Sequence, residues 1–321
     1  MHALEIITTV NRQRDLEPEW ADAANRDPCL TPFQTPVWLL TWWEHFGNGE
    51  LRVMVFRHVG RVVGVIPLFL HEWNGRRQLT LLGSGITDYL DPLLAPDHAA
   101  EIIARLECEL RSWRDWDVCD WQDLSAASPL LRLGESVEEA PCTCAPLLTA
   151  YDEYLRQRPK NLRRGLRSDR AKADAEAPVS FEPVNEADPQ LVQALIDLHR
   201  ARWQSAGEPG MIEANGAEAF LRAVAPRLAA RDMLRFFVVR FAGQIAALIL
   251  ALRNRTTLYG YLTAYDPAHQ DFGFGREVLA QAIRYGHECG YRSWDFLRGE
   301  EPYKFLWGAQ RVERRRVLIS R

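Results

Sequence analysis

Thr257-Leu-Tyr-Gly-Tyr-Leu-Thr-Ala-Tyr265, followed by Gln270-Asp-Phe-Gly-Phe-Gly-Arg276 and the run to Cys289-Gly290, decides the fold. Thr257–Tyr265 is rich in aromatic and β-branched residues and reads as a strand. Gly275–Cys289 reads as a helix that Gly290 ends. The loop between them, Asp266–Phe274, carries a Gln, two residues, a Gly, one residue and a second Gly. Glycines in such a loop let backbone amides turn toward a ligand, and the helix N-terminus adds partial positive charge. That geometry suits a pyrophosphate. A plain glycine-containing helix entry has the same local pattern, and the strand–loop–helix setting favours the anion site.

Working outward, Ala214–Arg231 reads as a helix interrupted near Pro226. Leu234–Phe241 is a strand, Ala242-Gly243-Gln244 a turn, and Ile245–Leu252 a buried strand. Ser293–Leu297 follows the helix as a last strand. The first half has the same order. Thr35-Pro36 opens a helix that Gly47 ends, with Trp38, Leu39, Trp42, Trp43 and Phe46 on one face. Leu51–Arg57, Val62–Leu70 and Gln78–Leu82 are strands, Ala99–Trp113 is a helix and Asp117–Trp121 a strand. Helix, three strands, loop, helix, strand, met twice, predicts duplicated domains over residues 1–145 and 146–321. The length of 321 residues agrees, since single cores stop growing near ~250–300 residues.

The net charge of −4 divides unequally. Residues 1–145 carry 12 Arg, no Lys and 22 acids; residues 146–321 carry 24 Arg, 3 Lys and 21 acids. The positive half holds the glycine loop and a basic segment, Tyr151–Asp174, as an anionic ligand would require. That segment reads either as a solvated helix face or as an anion site. With 47% hydrophobic residues, disorder is excluded as the main state. The longest aliphatic run, Ile245–Leu252, is too short for a bilayer, which needs about 20 residues. No basic-then-apolar leader opens the chain, so a cytoplasmic protein is expected. The six cysteines (29, 108, 119, 142, 144, 289) form no CxxC pair and read as reduced thiols, and no metal site is expected. Walker A, GxSxG, HExxH and GxGxxG patterns are all missing from the sequence. Eight of the 11 Trp lie in residues 1–121, where helical spacing and turns point to core rather than to a carbohydrate platform.

The strand, glycine loop and helix at 259–289 resemble the acyl-CoA-binding motif of the GNAT N-acyltransferases. A wider series occurs in order: Phe33-Gln-Thr-Pro-Val-Trp38, Gly64-Val-Ile-Pro-Leu68, Leu82-Gly-Ser-Gly-Ile-Thr-Asp-Tyr89, Lys160-Asn-Leu-Arg-Arg164 and Asp295-Phe-Leu-Arg-Gly-Glu-Glu-Pro-Tyr-Lys304. The chain is thereby identified as similar, from about residue 30 to 310, to the double-GNAT BioF2-like or CelD-like acetyltransferases, relatives of the FemAB peptidoglycan aminoacyltransferases. The resemblance implies an α/β fold of tandem GNAT domains with mixed sheets. The second domain would hold acyl-CoA (acetyl-CoA), with no metal. The first has lost the loop pattern over Gly83–Asp97 and would shape the acceptor cleft.

The implied chemistry is attack of an amine on a thioester, which needs oxyanion stabilisation and a proton for the leaving thiolate. Amides of Leu262, Thr263 and Ala264 would meet the acyl-pantetheine. Gln270, Gly273, Phe274, Gly275 and Arg276 would hold the pyrophosphate. Lys304 (oxyanion), Tyr303 (proton donor to the thiolate), Asp88, Asp295 and Glu300 are the candidate catalytic groups. Tyr89, Arg202, Trp203 and Tyr265 would line the acceptor site. For each, the alternative is a packing, turn or solvent role; Trp203, with His199 one turn earlier, also fits a helix packed on the core. Three functions are open: an acyl-CoA-dependent N-acyltransferase acting on a small molecule, amino sugar or peptide; an aminoacyl-tRNA-dependent ligase; or a non-catalytic scaffold in polysaccharide assembly. The loop and the acidic net charge favour the first.

Overall fold

The computed structural model describes residues 2–28, 30–207, 210, 212 and 216–321, without the side chains of Ser205 and Ala206. The chain forms two compact units, Met1–Pro141 with Glu313–Arg321, and Cys142–Val312. The first contains strands β1 (Ala3–Ile7), β2 (Glu50–His58), β3 (Arg61–Trp73), β4 (Arg76–Leu81), β5 (Leu93–Leu94), β6 (Val118–Ser125) and β7 (Glu135–Glu138). The second contains β8 (Cys142–Pro146), β9 (Val179–Val184), β10 (Leu234–Phe241), β11 (Gln244–Arg253), β12 (Thr257–Tyr265), β13 (Ser293–Arg298) and β14 (Gln310–Val312). The last strand, β15 (Arg314–Ser320), belongs to the first sheet. The sheet orders are β1-β2-β3-β4-β6-β15-β7, with β5 on β3, and β14-β8-β13-β12-β11-β10-β9.

The helices of the first unit are α1 (Val10–Asp15), α2 (Glu17–Arg26), α3 (Pro36–Phe46) and α4 (Ala99–Ser112). Those of the second are α5 (Tyr151–Arg156), α6 (Lys160–Glu176), α7 (Pro189–Ala206), α8 (Ala217–Ala229), α9 (Phe274–Glu288) and α10 (Pro302–Leu306). The expected helix start at Ala214 lies outside the described residues, and Pro226 sits inside α8. At α3 the expected ends hold, with Thr35 extended before Pro36 and Gly47 closing the helix. The Thr35 hydroxyl does not cap a helix amide; it donates to the Pro32 carbonyl at 2.6 Å. Trp20, Trp38, Trp42, Trp116 and Trp121 are buried, as the core reading of the tryptophans requires, whereas Trp73 is exposed.

The duplication is visible in irregularities as well as in order. The hairpins Val55-Phe-Arg-His-Val-Gly-Arg-Val62 and Val238-Val-Arg-Phe-Ala-Gly-Gln-Ile245 each slip register after the second residue. Each turns through a non-glycine and a glycine at positive φ: Val59 (48°) and Gly60 (76°), Ala242 (49°) and Gly243 (80°). In each unit the strand after the helix runs parallel to the strand that closes the hairpin meander, β6 with β4 and β13 with β12, over only two and three residue pairs. β6 and β13 each carry one extra residue against their antiparallel neighbours, β15 and β8, with Asp123 (φ 62°) and Leu297 (φ 61°) left-handed there. A β-bulge that holds a non-glycine at positive φ is costly and persists only where surrounding structure over-determines it.

The expected division at 145/146 puts Arg314–Ser320 in the second half. The structure instead pairs β15 antiparallel with β6 and β7. Its poor alternation hid it, because a strand flanked on both edges is specified by pairing more than by pattern.

Candidate active site

The site grows from the place where two strands part. β12 pairs with β13 only at Thr257–Tyr259. Beyond Tyr259, β12 also carries an extra residue against β11, between Gly260 and Leu262. The gap opens into a cleft of about 490 Å³. β12 supplies Gly260, Thr263 and Tyr265; the loop and α9 supply Gln270 to Arg276; β13 supplies Trp294 and Phe296. The N-terminus of α6, Arg202 of α7, and Tyr303, Leu306 and Trp307 at α10 complete the wall. Gly260 is required here, since a Cβ would lie 2.8 Å from the Trp294 ring. That indole is buried, and among the described residues its Nε1–H has no acceptor. An unpaired buried donor on a cleft wall is suited to a ligand carbonyl.

The glycine loop behaves as an anion seat should. Gly273 is left-handed (φ 62°, ψ 31°) and caps α9. Its N–H donates to the Gln270 carbonyl at 3.2 Å, and Arg276 N–H donates back to the Gly273 carbonyl at 2.9 Å. Those two amides are therefore occupied. The amides of Phe274 and Gly275, the first two of the helix, meet no backbone carbonyl among the described residues and carry the positive end of the macrodipole. Phe274 is buried against Phe241 and Phe272 at 5.3 and 5.6 Å between ring centres, which anchors the turn. Arg276 pairs with Asp169 of α6 at 3.2 Å and remains half exposed. Buried Glu277 accepts from Arg170 at 3.2 Å and locks α6 to α9, a contact that the sequence reading missed.

Among the acyl-pantetheine candidates, Thr263 lines the cleft, while Leu262 and Ala264 have buried side chains off it. The Thr263 carbonyl accepts from Arg202 Nη1 at 3.2 Å. In a strand a residue's N–H and C=O face the same side, so the Thr263 N–H also faces the gap. Arg202 stacks on Tyr265 at 5.0 Å and Trp203 at 5.4 Å. It braces the splayed strand, which its expected acceptor-binding role did not foresee. Trp203 is not on the cleft wall; its indole donates to His199 Nε2 at 3.0 Å.

His199 itself is buried, with burial first and Arg202 second lowering its pKa to about 4. Its unfolded value is near 6.5, so the unfolded chain binds the extra proton first. Stability should therefore fall as pH drops from about 6.5 to about 4. His199→Gln should flatten that decline in a series of melting temperatures taken across the range.

The candidate catalytic groups divide. Tyr303 lines the cleft about half exposed, with its ring edge-on to Phe296 at 6.2 Å; partial desolvation first and Glu301 second push its phenol up. The phenol is therefore protonated at neutral pH. The other four are placed elsewhere. Lys304 is 2% exposed, and its ammonium donates to the carbonyls of Leu297 (3.4 Å), Arg298 (2.7 Å) and Gly299 (3.2 Å) and meets Glu301 at 2.9 Å. It clasps the bulge at the end of β13 rather than facing the cleft. Asp295 is buried and accepts from Leu297 N–H at 2.7 Å in the same bulge. Glu300 takes the Arg311 guanidinium. Cys144, opposite Asp295, has its thiol pushed up to about 12 by burial, and is no thiolate nucleophile at neutral pH.

Asp88 and Tyr89 lie in the first unit, in the stretch that lacks the loop pattern. Asp88 is 3.7 Å from Arg314, which also grips Asp123 and lies over the Tyr89 ring at 5.9 Å. Arg314 is 1% exposed. A buried guanidinium needs such carboxylates, so Asp88 is an ion-pair partner and not a proton shuttle. The five described cysteines, 108, 119, 142, 144 and 289, are free thiols; Cys29 lies outside the described residues.

Residues 160–305, from α6 through Phe305 of α10, match the family model for the acetyltransferase (GNAT) domain. No curated protein sequence matches the chain. Among solved structures, FemX superposes with a TM-score of 0.69 at 12% identity, over 98% of this chain and 96% of its own. The C-terminal domain of a lysylphosphatidylglycerol synthetase from Agrobacterium fabrum gives 0.60 at 12% identity, over 95% and 92%. A Bacteroides thetaiotaomicron protein of unknown function gives 0.58 at 12%, over the full length of both chains. At such identities the likeness is one of fold. No described helix is long and apolar enough to cross a membrane. The match to the acetyltransferase (GNAT) domain model thus spans α6 to α10 of the second unit, and the two units repeat one α/β plan.

Proposed function

We propose that the chain transfers an acyl group from acyl-CoA, acetyl-CoA in the first instance, to the amine of a small molecule, amino sugar or peptide. The observation that carries this reading is the unpaired amide pair of Phe274 and Gly275 at the head of α9, opening on the cleft between β12 and β13. Those amides would receive the pyrophosphate, with Arg276 beside them. The Thr263 amide and the Trp294 indole would receive the carbonyls of the pantetheine arm and thioester, where negative charge develops as the amine attacks. The C–N bond forms, the C–S bond breaks, and Tyr303 gives its proton to the departing sulfur. The attacking nitrogen releases its proton to solvent. We place the reaction in the cytoplasm and group the enzyme with the BioF2-like and CelD-like double-GNAT proteins on its motif series.

Binding of acyl-CoA should raise the melting temperature by mass action, and an amine panel should release free CoA thiol. No shift at saturating acyl-CoA together with no thiol release would sink the proposal. Tyr303→Phe should lower kcat roughly 100-fold or more while leaving the KM for acyl-CoA in place, as expected for a general acid. An aminoacyl-tRNA donor is the second reading, favoured by Arg164 and Arg167, which stand exposed on α6. It requires steeply salt-dependent tRNA binding that reversal of these two charges abolishes.

A further inference from the structure

The first unit gathers three histidines from distant parts of the chain. His2 precedes β1, His58 ends β2, and His98 precedes α4. Each offers one ring nitrogen within 4.8 Å of the other two, and among the described residues it is the one such group of His, Cys, Asp or Glu. Their rings pack at centre distances of 4.8 to 5.5 Å. We propose that His2, His58 and His98 form a binding site for a divalent transition-metal ion of the zinc type, separate from the acyl-transfer cleft.

Three observations support convergence on an ion rather than mere packing. The His2 side chain is 6% exposed, and its Nδ1 meets Glu101 Oε1 at 3.0 Å. A carboxylate on one ring nitrogen fixes the tautomer and aims the other nitrogen's lone pair, the usual outer-shell arrangement of metal-bound histidine. That other nitrogen, His2 Nε2, faces His98 Nδ1 at 2.9 Å. Two neutral rings at this distance share one proton, and a metal ion would displace it. Finally, among the described residues His58 Nδ1 is buried without a hydrogen-bond partner. A buried orphan nitrogen beside two converging ones is costly unless something binds it. Two ligands of one tetrahedral zinc ion lie about 3.3 Å apart, given Zn–N near ~2.0–2.1 Å, so small ring movements suffice. Imidazole ligands suit zinc, copper, nickel and cobalt, and the fourth position is left for water. The ion would pin the β1 edge to β2 and to the head of α4. On binding, the proton on His98 Nδ1 would move to its Nε2, so that the ring would coordinate as a neutral imidazole.

The test uses full-length, tag-free protein stripped with a chelator and titrated with Co²⁺ and then Zn²⁺. The expected result is one equivalent of Co²⁺, a visible d–d band of a low-symmetry nitrogen site, and displacement by Zn²⁺. The band should vanish in His98→Ala and in His58→Ala. Glu101→Gln, which leaves all three ligands in place, should weaken binding by about 10–100-fold. Absence of Co²⁺ and Zn²⁺ uptake by the stripped protein would overturn the site. So would one-equivalent binding that survives both histidine substitutions. Metal uptake is read without any acyl donor, so its failure leaves the acyltransferase reading intact, and the reverse.

Discussion

Gly273→Val should abolish the stabilisation of the protein by acyl-CoA and lower kcat/KM by about 100-fold or more, while circular dichroism stays native. The position is left-handed, with φ at 62°. A β-branched residue is a genuine outlier there, so the backbone would leave that region. A Cβ would also meet Asp169 Oδ2 at 2.3 Å, and Asp169 is the carboxylate that holds Arg276. Both the helix entry and the neighbouring cation would therefore shift. The amides of Phe274 and Gly275 would lose their aim at the phosphates. Hydrogen bonds to charged groups contribute about 1.5–3 kcal/mol each, so losing two weakens binding by roughly 10²–10⁴-fold, at tenfold per 1.4 kcal/mol. Isothermal titration with acetyl-CoA measures this directly. Binding within about threefold of the parent would show that the loop is only a helix entry.

The elements that build this seat were legible from residue pattern. Both hairpins, β12 and α9 follow from alternation, glycine placement and helical spacing, because those signals are local. The cleft wall was legible in part for the same reason: the Gln-x-x-Gly-x-Gly loop, Thr263, Tyr265 and Tyr303 all sit where strand, loop and helix order puts them. What stayed hidden depends on three-dimensional neighbours. Nothing in Asp295-Phe-Leu-Arg-Gly299 announces a bulge with Leu297 left-handed, since leucine is among the residues least expected there. Trp294 and Gly260 are far apart in sequence, and only the register of β12 against β13 makes one the reason for the other. Asp88 read as a cleft carboxylate because Arg314, 226 positions later, returns in β15 to pair with it. The histidine group escapes sequence reading entirely, because positions 2, 58 and 98 show no metal spacing.

Lys304→Met should lower the melting temperature by roughly 10 °C and reduce kcat and raise KM together, with the pH profile of the reaction unchanged. Methionine keeps much of the volume but carries no donor. The carbonyls of Leu297, Arg298 and Gly299 would then lose the ammonium donor, Gly299 keeping the Thr143 hydroxyl at 3.3 Å, and Glu301 would lose its partner. Glu301 is about half exposed and can turn to water, so the cost comes from the lost charge-assisted bonds to the carbonyls, about 1.5–3 kcal/mol each. For a domain of about 150–250 residues, each kcal/mol moves the midpoint by ~2–4 °C. The bulge that Lys304 holds leads directly into α10, whose Tyr303 and Leu306 form one wall of the cleft, with Trp307 just beyond. Loosening it therefore displaces Tyr303 and the apolar wall at once, which is why both kinetic constants should move. A lysine that stabilised the oxyanion directly would behave otherwise. Its loss would lower kcat alone, at an unchanged melting temperature and KM, because the interaction would exist only in the transition state. The two roles are thus separated by one substitution read three ways. The geometry favours the clasp, since the ammonium has three donors and the structure already supplies four acceptors within 3.4 Å.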